Sequence, residues 1–154
     1  MDKAPVEDAA PPRKVLQLAN PVVKALLRSR LHRLVSSKLM LLTMTGRKTG
    51  RSYTVPVGRH EADDGRLVLS ARGAWRHNLR DEADVRVVLD GRERAARATQ
   101  EKDPDRAAAA FKMLLEQAGP RALAVKVNVD RPPTIAEIRP LVAGRVIAYL
   151  ELVD

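Results

Sequence analysis

The chain has 154 residues, 45% of them hydrophobic and 31% charged, with 28 Lys and Arg, 19 Asp and Glu, and no Cys. That is enough for one domain with a sizeable core and too little for two ordinary ones. The composition excludes a disulfide framework, a thiolate metal site and a cysteine nucleophile. No apolar run nears the roughly 18 residues that a membrane span needs, and His32, His60 and His77 lack the close spacing of a His-based metal site.

Residues 1–12 are rich in Pro, Ala and acids, and no apolar core follows the charged start. They are therefore expected to be a disordered tail and not a signal peptide. The folded domain is expected over residues 13–154, in a reducing cytoplasm that the lack of Cys permits. Between Asp8 and Glu61 there is no Asp or Glu, yet eleven cations fall there, among them Arg28, Arg47, Lys48 and Arg51. The other 17 of the 28 cations stand against all 19 acids, so the net charge of +9 belongs to the N-terminal third. Such asymmetry suits an anionic partner: nucleic acid, a membrane surface or a phosphorylated ligand. A solvated basic face is the plainer alternative.

Residues 13–37 read as a helix in two pieces. Asn20 is placed to cap the second piece, with Pro21 at its first position. Val23, Leu26, Leu27, Leu31, Leu34 and Val35 then follow helical spacing, while Lys24, Arg28 and Arg33 fall mostly on other faces. An amphipathic cationic helix of this kind lids a sheet or barrel, or lies on an anionic membrane.

Strands are expected over residues 39–45 and 53–57, the second with Pro56 at an edge or an end. Asp64-Gly65 predicts a hairpin turn before a strand over 66–70. A loop with a short helical turn follows over 71–84, then a second hairpin over 85–100 that turns at Asp90-Gly91. Asp103 and Pro104 open a helix that Gly119 closes. Alternation over 122–129 predicts a half-buried strand, followed by a short helix near 134–142 and a last strand over 145–153. Six or seven strands with short connections and no βαβ alternation indicate a small antiparallel barrel with helices packed outside.

Two segments carry more chemistry than a turn needs. In Gly46-Arg47-Lys48-Thr49-Gly50, the glycines let the backbone turn tightly and aim N–H groups at an anion. Arg47 offers a planar fork for phosphate or carboxylate, Lys48 a mobile charge, and Thr45 and Thr49 hydroxyl donors. This is not a Walker loop, because only three residues separate the glycines and no Gly-Lys-Ser/Thr follows. Taken alone, an exposed basic turn explains it equally well. The second segment runs from Ser70 through Arg72 and Gly73 to Trp75, Asn78 and Leu79. Trp75, the only Trp, supplies a flat apolar wall, and Asn78 can donate and accept. Anchoring of the loop by Trp75 and Leu79 is the structural alternative.

"LLTMTGRKTGRSYTVPV" followed about 20 residues later by "LSARGAWRHNL" resembles the deazaflavin-dependent nitroreductase family, a branch of the split β-barrel flavin oxidoreductases. The resemblance covers roughly residues 32–100. It implies a six-stranded antiparallel split β-barrel that binds coenzyme F420, with FMN as the alternative, and reduces quinones, nitro compounds or activated alkenes. It places Arg47, Lys48, Thr49 and Gly50 on the cofactor's phosphate and acidic tail, and Pro56 and Val57 along its ring by backbone contact. Ser70, Arg72, Trp75 and Asn78 line the other side. Where many members carry Arg, this chain has Tyr53, which could stack on a ligand or donate its hydroxyl to a substrate.

The resemblance makes the chain an oxidoreductase with a small-molecule substrate. The cofactor brings the hydride and the protein orients it and excludes water; the closing proton could come from solvent, Tyr53 or Ser70. Competing classes are a barrel that binds another flavin-like or lipid ligand without redox chemistry, and a membrane-surface binder that uses the basic helix. Nucleic acid is disfavoured, because single-strand binders need several stacking aromatics on one face and this chain has one Phe, one Trp and two Tyr. Barrels of this kind occur as monomers and homodimers.

Overall fold

The computed structural model describes residues 4–9, 13–34, 38–46 and 48–153. In chain order these form β1 (Val6–Asp8), α1 (Arg13–Arg28), β2 (Leu39–Thr45), β3 (Ser52–Gly58), β4 (His60–Glu61), β5 (Leu67–Ala71), β6 (Glu82–Leu89), β7 (Arg92–Gln100), α2 (Pro104–Ala118), β8 (Val125–Val127), α3 (Ile135–Val142) and β9 (Val146–Leu152). Three short 3-10 turns, at Arg30–Leu34, Ala74–Leu79 and Arg121–Leu123, join them.

The main sheet has seven strands in the order β3-β2-β6-β7-β9-β5-β4, all antiparallel, where the resemblance implied six. The difference lies at Arg59. Its N–H still donates to Lys38 O beside β2 (2.8 Å), whereas His60 already pairs with Val68 of β5. One bent strand thus changes partner and divides into β3 and β4. Because β3 and β4 are the two edges of the sheet and a single residue joins them, the sheet must curl until its edges approach there. The result is a half-barrel.

Alternation of side chains across the sheet separates two cores. Met40, Leu42 and Met44 of β2, Val85 and Val87 of β6, and Leu67, Leu69 and Ala71 of β5 fill the inside of the curl. Val68 and Ile147 point the other way, onto Phe111 and Leu114 of α2 and Ile138 of α3. Helix α2 starts as its sequence dictates: Asp103 accepts from the N–H groups of Asp105 (3.0 Å) and Arg106 (2.9 Å), and Gly119 at φ 83° ends it. The Asp90-Gly91 turn has φ of 49° and 78°, the paired positive values that such a hairpin requires.

The N-terminal region departs most from expectation. Asn20 and Pro21 lie inside α1 and do not start a second helix. The break falls at Ser29 instead, whose hydroxyl donates to Leu26 O (2.9 Å) and accepts from Leu31 N–H (3.1 Å). Helix α1 packs on β2 and β3 and buries Leu27 to 1% exposure, which contributes roughly 2 kcal/mol. Residues 35–37, the end of the expected helix, lie outside the described residues. Within the expected tail, Val6–Asp8 form β1, which pairs with β8 and buries Val6. Only Val125–Val127 of the strand expected over 122–129 are extended, and they belong to this second, two-stranded sheet.

Candidate functional site

The register puts the two motif segments at one end of the barrel. Thr45 and Ser52 close β2 and β3 there, β6 begins there at Glu82, and β5 ends there at Ala71. The Asp64-Gly65 and Asp90-Gly91 turns lie at the other end. The β2–β3 connection is bonded to itself: Gly46 N–H donates to Arg51 O (2.7 Å) and Gly50 N–H to Gly46 O (2.9 Å). The Thr49 hydroxyl accepts from Arg51 N–H (3.2 Å) and pairs with the Tyr53 hydroxyl (3.1 Å). The glycine N–H groups and the Thr49 oxygen, expected as anion donors, therefore hold the loop's shape. A Cβ on Gly46 would stand 2.4 Å from Tyr53 Cε2, so this glycine makes room for the ring. Gly50 has φ 70°, a backbone state that favours glycine. Lys48 and Arg51 stay exposed, and Arg47 lies outside the described residues.

The 74–79 turn packs against β2, β6, β7 and β9 and carries Trp75 and Asn78. Its Arg76 guanidinium donates to Gly73 O (2.7 Å). Partial burial pushes the His77 imidazolium down from its ordinary pKa, and Arg80, Arg76 and Lys48 push it further. Lys48 thus stands close enough to the turn for its charge to act there. Lys48, Arg76 and Arg80 thus give one sign of charge to this end of the barrel. Arg76, His77 and Arg80 were not singled out from sequence. The signal was available: two cations four residues apart, flanking a His, in the segment that follows a basic loop.

Inside this end, Trp75, Val55 and Val57 are half-buried on the inner core and give it an apolar wall. Tyr53 has the parity of Val55 and Val57, so it continues that wall towards the loop. Pro56 lies on the opposite face, opposite Leu41 in register. It shares with Val57 only the outer backbone of edge strand β3.

Ser70 and Arg72 are placed elsewhere. Ser70 has the parity of Val68 and faces the second core, where Arg145 Nη1 donates to its Oγ (3.0 Å). Arg145 Nη2 also binds Asp8 Oδ1 (2.7 Å), both Nη atoms bind Leu123 O (3.2 Å), and the guanidinium stands 5.1 Å from the Phe111 ring centroid. Arg72 Nε lies 3.9 Å from Asp8 Oδ1. Both residues thus take part in a polar clasp between β1, β5 and β9.

A cavity of about 1210 Å³ opens at the other end of the barrel, lined by Arg59, Asp64, Arg66, Asp90 and Leu150 among others. Its lining carries both signs of charge, with Arg59 paired to Asp90 (2.9 Å) and Arg66 to Asp64 (2.7 Å). No group of His, Asp and Glu among the described residues could hold a metal ion, and no helix among them is long and apolar enough to cross a membrane.

A sequence model of the F420H(2)-dependent quinone reductase family matches residues 22–136. Among solved structures, one described as an F420-H2 dependent reductase (FDR-A) is 20% identical, with a TM-score of 0.48 over 74% of this chain and 94% of that one. Another, described as a domain-swapped dimer, is 18% identical, with a TM-score of 0.49 over 83% of this chain and 98% of that one. No curated protein sequence matches the chain.

Proposed function

Because the chain belongs to the F420H(2)-dependent quinone reductase family, a family of F420-dependent oxidoreductases, we propose that it is a split-barrel reductase acting on electron-poor acceptors. Quinones come first in that class, with nitro compounds and activated alkenes as further members. The observation that carries this reading is the placement of the basic β2–β3 loop and the turn that carries Trp75 and Asn78 at one end of the barrel. A multiply anionic tail suits the like-signed charge at this end, and a flat ring suits the wall of Val57 and Trp75. The residues present therefore fit F420.

F420H(2), when bound, supplies the hydride. Lys48 and Arg51 hold the tail's charge, with Arg47 assigned to the same task from sequence. Val57 and Trp75, the backbone at Pro56 and Val57, and Asn78 on the turn would hold the ring. Ser70 and Arg72 support this site from outside, through the Arg145 clasp. Because Ser70 faces the second core, where its Oγ accepts from Arg145, solvent and Tyr53 are the proposed sources of the closing proton.

Titration of the purified protein with F420, FMN and a non-specific DNA duplex tests this. F420 is expected to bind, FMN more weakly and the duplex not at all. Lys48→Ala should weaken F420 by roughly 10- to 100-fold, the value of one charge-assisted hydrogen bond, and Arg28→Ala by much less. Absence of F420 binding at tens of micromolar would remove the redox assignment.

A second property is favoured by α1 and the turn after it. Val22 and Leu31 are 61% and 60% exposed beside the cations Arg28, Arg30 and Arg33, the composition of a helix that rests on an anionic membrane surface. Co-sedimentation with anionic liposomes of the intact protein and of Leu31→Glu tests it, and equal sedimentation of the two ends the idea.

A further inference from the structure

Tyr53 stands opposite Met44 near the start of β3, with the inward parity of Val55 and Val57. Its side chain reaches back over the connection that precedes it. The Tyr53 and Thr49 hydroxyl oxygens lie 3.1 Å apart, and the ring lies over Gly46, where a Cβ would collide with it. Thr49 Oγ1 also accepts from Arg51 N–H (3.2 Å). Among the described residues, the backbone bonds of the connection run within it, from Gly46 N–H to Arg51 O and from Gly50 N–H to Gly46 O. Tyr53 is therefore the side chain that ties the connection to the wall of the barrel. The direction of its bond follows from chemistry. A phenol is a stronger donor and a weaker acceptor than an aliphatic hydroxyl, and Thr49 Oγ1 keeps a second lone pair after accepting from Arg51. Tyr53 O–H accordingly donates to Thr49 Oγ1. The exposed Lys48 and Arg51 belong to the same connection. A basic loop that must be ordered by its ligand loses affinity to that ordering, whereas one ordered beforehand does not.

We propose that Tyr53 is a positioning residue. Its ring over Gly46 and its hydroxyl on Thr49 fix the β2–β3 connection before a ligand arrives, so that the backbone beneath Lys48 and Arg51 is already set when an anionic tail meets them. This rests on the F420 reading for the identity of the ligand. It also narrows the closing proton to solvent, because the Tyr53 proton is engaged by Thr49.

The test compares the natural protein with Tyr53→Phe, Thr49→Val and the double variant. Tyr53→Phe keeps the ring and removes only the hydroxyl. In the free protein, amide hydrogen exchange at Gly50 and Arg51 should be faster in Tyr53→Phe, while the urea midpoint stays in place. In direct titration the Kd for F420 should rise roughly 2- to 10-fold, the range of one neutral hydrogen bond. In turnover with a quinone, KM for F420H(2) should rise in step, and kcat at saturating cofactor should hold within about twofold. Adding Tyr53→Phe to Thr49→Val should raise Kd no further, since the bond is already gone. If F420 binds and either its Kd or the Gly50 and Arg51 exchange is the same in Tyr53→Phe, the inference falls and the functional reading stands. Full additivity of the two substitutions has the same consequence. If kcat falls by about tenfold or more while KM holds, Tyr53 is the proton source, and the positioning role falls. If F420 does not bind, the functional reading falls and takes this inference with it.

Discussion

Two groups of cations in this protein have opposite fates. Arg145 is 3% exposed in its side chain and is answered within the chain by Asp8, Ser70, the Leu123 carbonyl and the Phe111 ring. Lys48, Arg76 and Arg80 stand near enough to His77, at the open end of the barrel, for their charges to act on it. A buried cation must be paired, because its desolvation is otherwise far more costly than a fold can bear. A surface cluster of one sign carries a small penalty of mutual repulsion, which a bound anion reverses. The first arrangement uses its charge to hold β1, β5 and β9 together, and the second stands at the end of the barrel where a ligand is proposed to bind.

The largest way to break this contrast is Arg145→Met. It should lower stability by about 3 kcal/mol, since Asp8 and Ser70 lose their partner and the Leu123 carbonyl is left buried without a donor. The midpoint of urea denaturation measures this, and the F420 affinity of the folded fraction should change by less than about twofold. A loss of stability below about 1 kcal/mol would show that the clasp is not structural. Gly46→Ala probes the open end. Its Cβ collides with the Tyr53 ring and breaks the Thr49–Tyr53 bond, yet that ring is 40% exposed and can turn away. Stability should fall by about 1 kcal/mol, while F420 affinity falls several-fold because Lys48 loses its support. Unchanged affinity would separate the loop's shape from its function.

The smallest effect concerns α3 in the closed region. Thr134 and Glu137 form a capping box, and Arg131 grips the Glu137 carboxylate with contacts of 2.5 and 3.0 Å. That hydrogen bond first, then those from Thr134, lowers the Glu137 pKa from 4.5 to about 2. A carboxylate with a lowered folded value stabilises above 4.5, and the gain is lost as pH falls towards 2. Glu137→Gln should therefore have a slightly lower Tm than the natural protein at pH 7, and the gap should close across that window. F420 binding should not respond. A gap that persists at the acid end would locate the effect in the cap geometry and not in the charge.

Most strands, α2 and both Asp-Gly turns were legible because their signals are local: alternation, a capping Asp103, a closing Gly119 and a turn dipeptide that accepts positive φ. The N-terminal region was not. Asn20-Pro21 satisfies the local rule for a helix start, but α1 continues through it because packing on β2 and β3 favours one helix. β1 carries too little local pattern for a strand, and only its pairing with β8 and the contact of Asp8 with Arg145 give it one. Ser70 and Trp75 lie five residues apart and were read as one wall. Strand parity sends Ser70 to the second core and leaves Trp75 in the first.

The sequence by itself determined the antiparallel β class, the cationic loop, the aromatic turn and the family to which they belong, because composition, periodicity and motif spacing are properties of neighbours along the chain. The tertiary structure alone decided that Arg145 takes Ser70 and Asp8, and that the barrel's edges meet at Arg59. Those are contacts between residues 75 and 137 positions apart, or set by the register of whole strands. Charge and hydrogen-bonding act through space, and no local pattern encodes which distant partner a side chain will find.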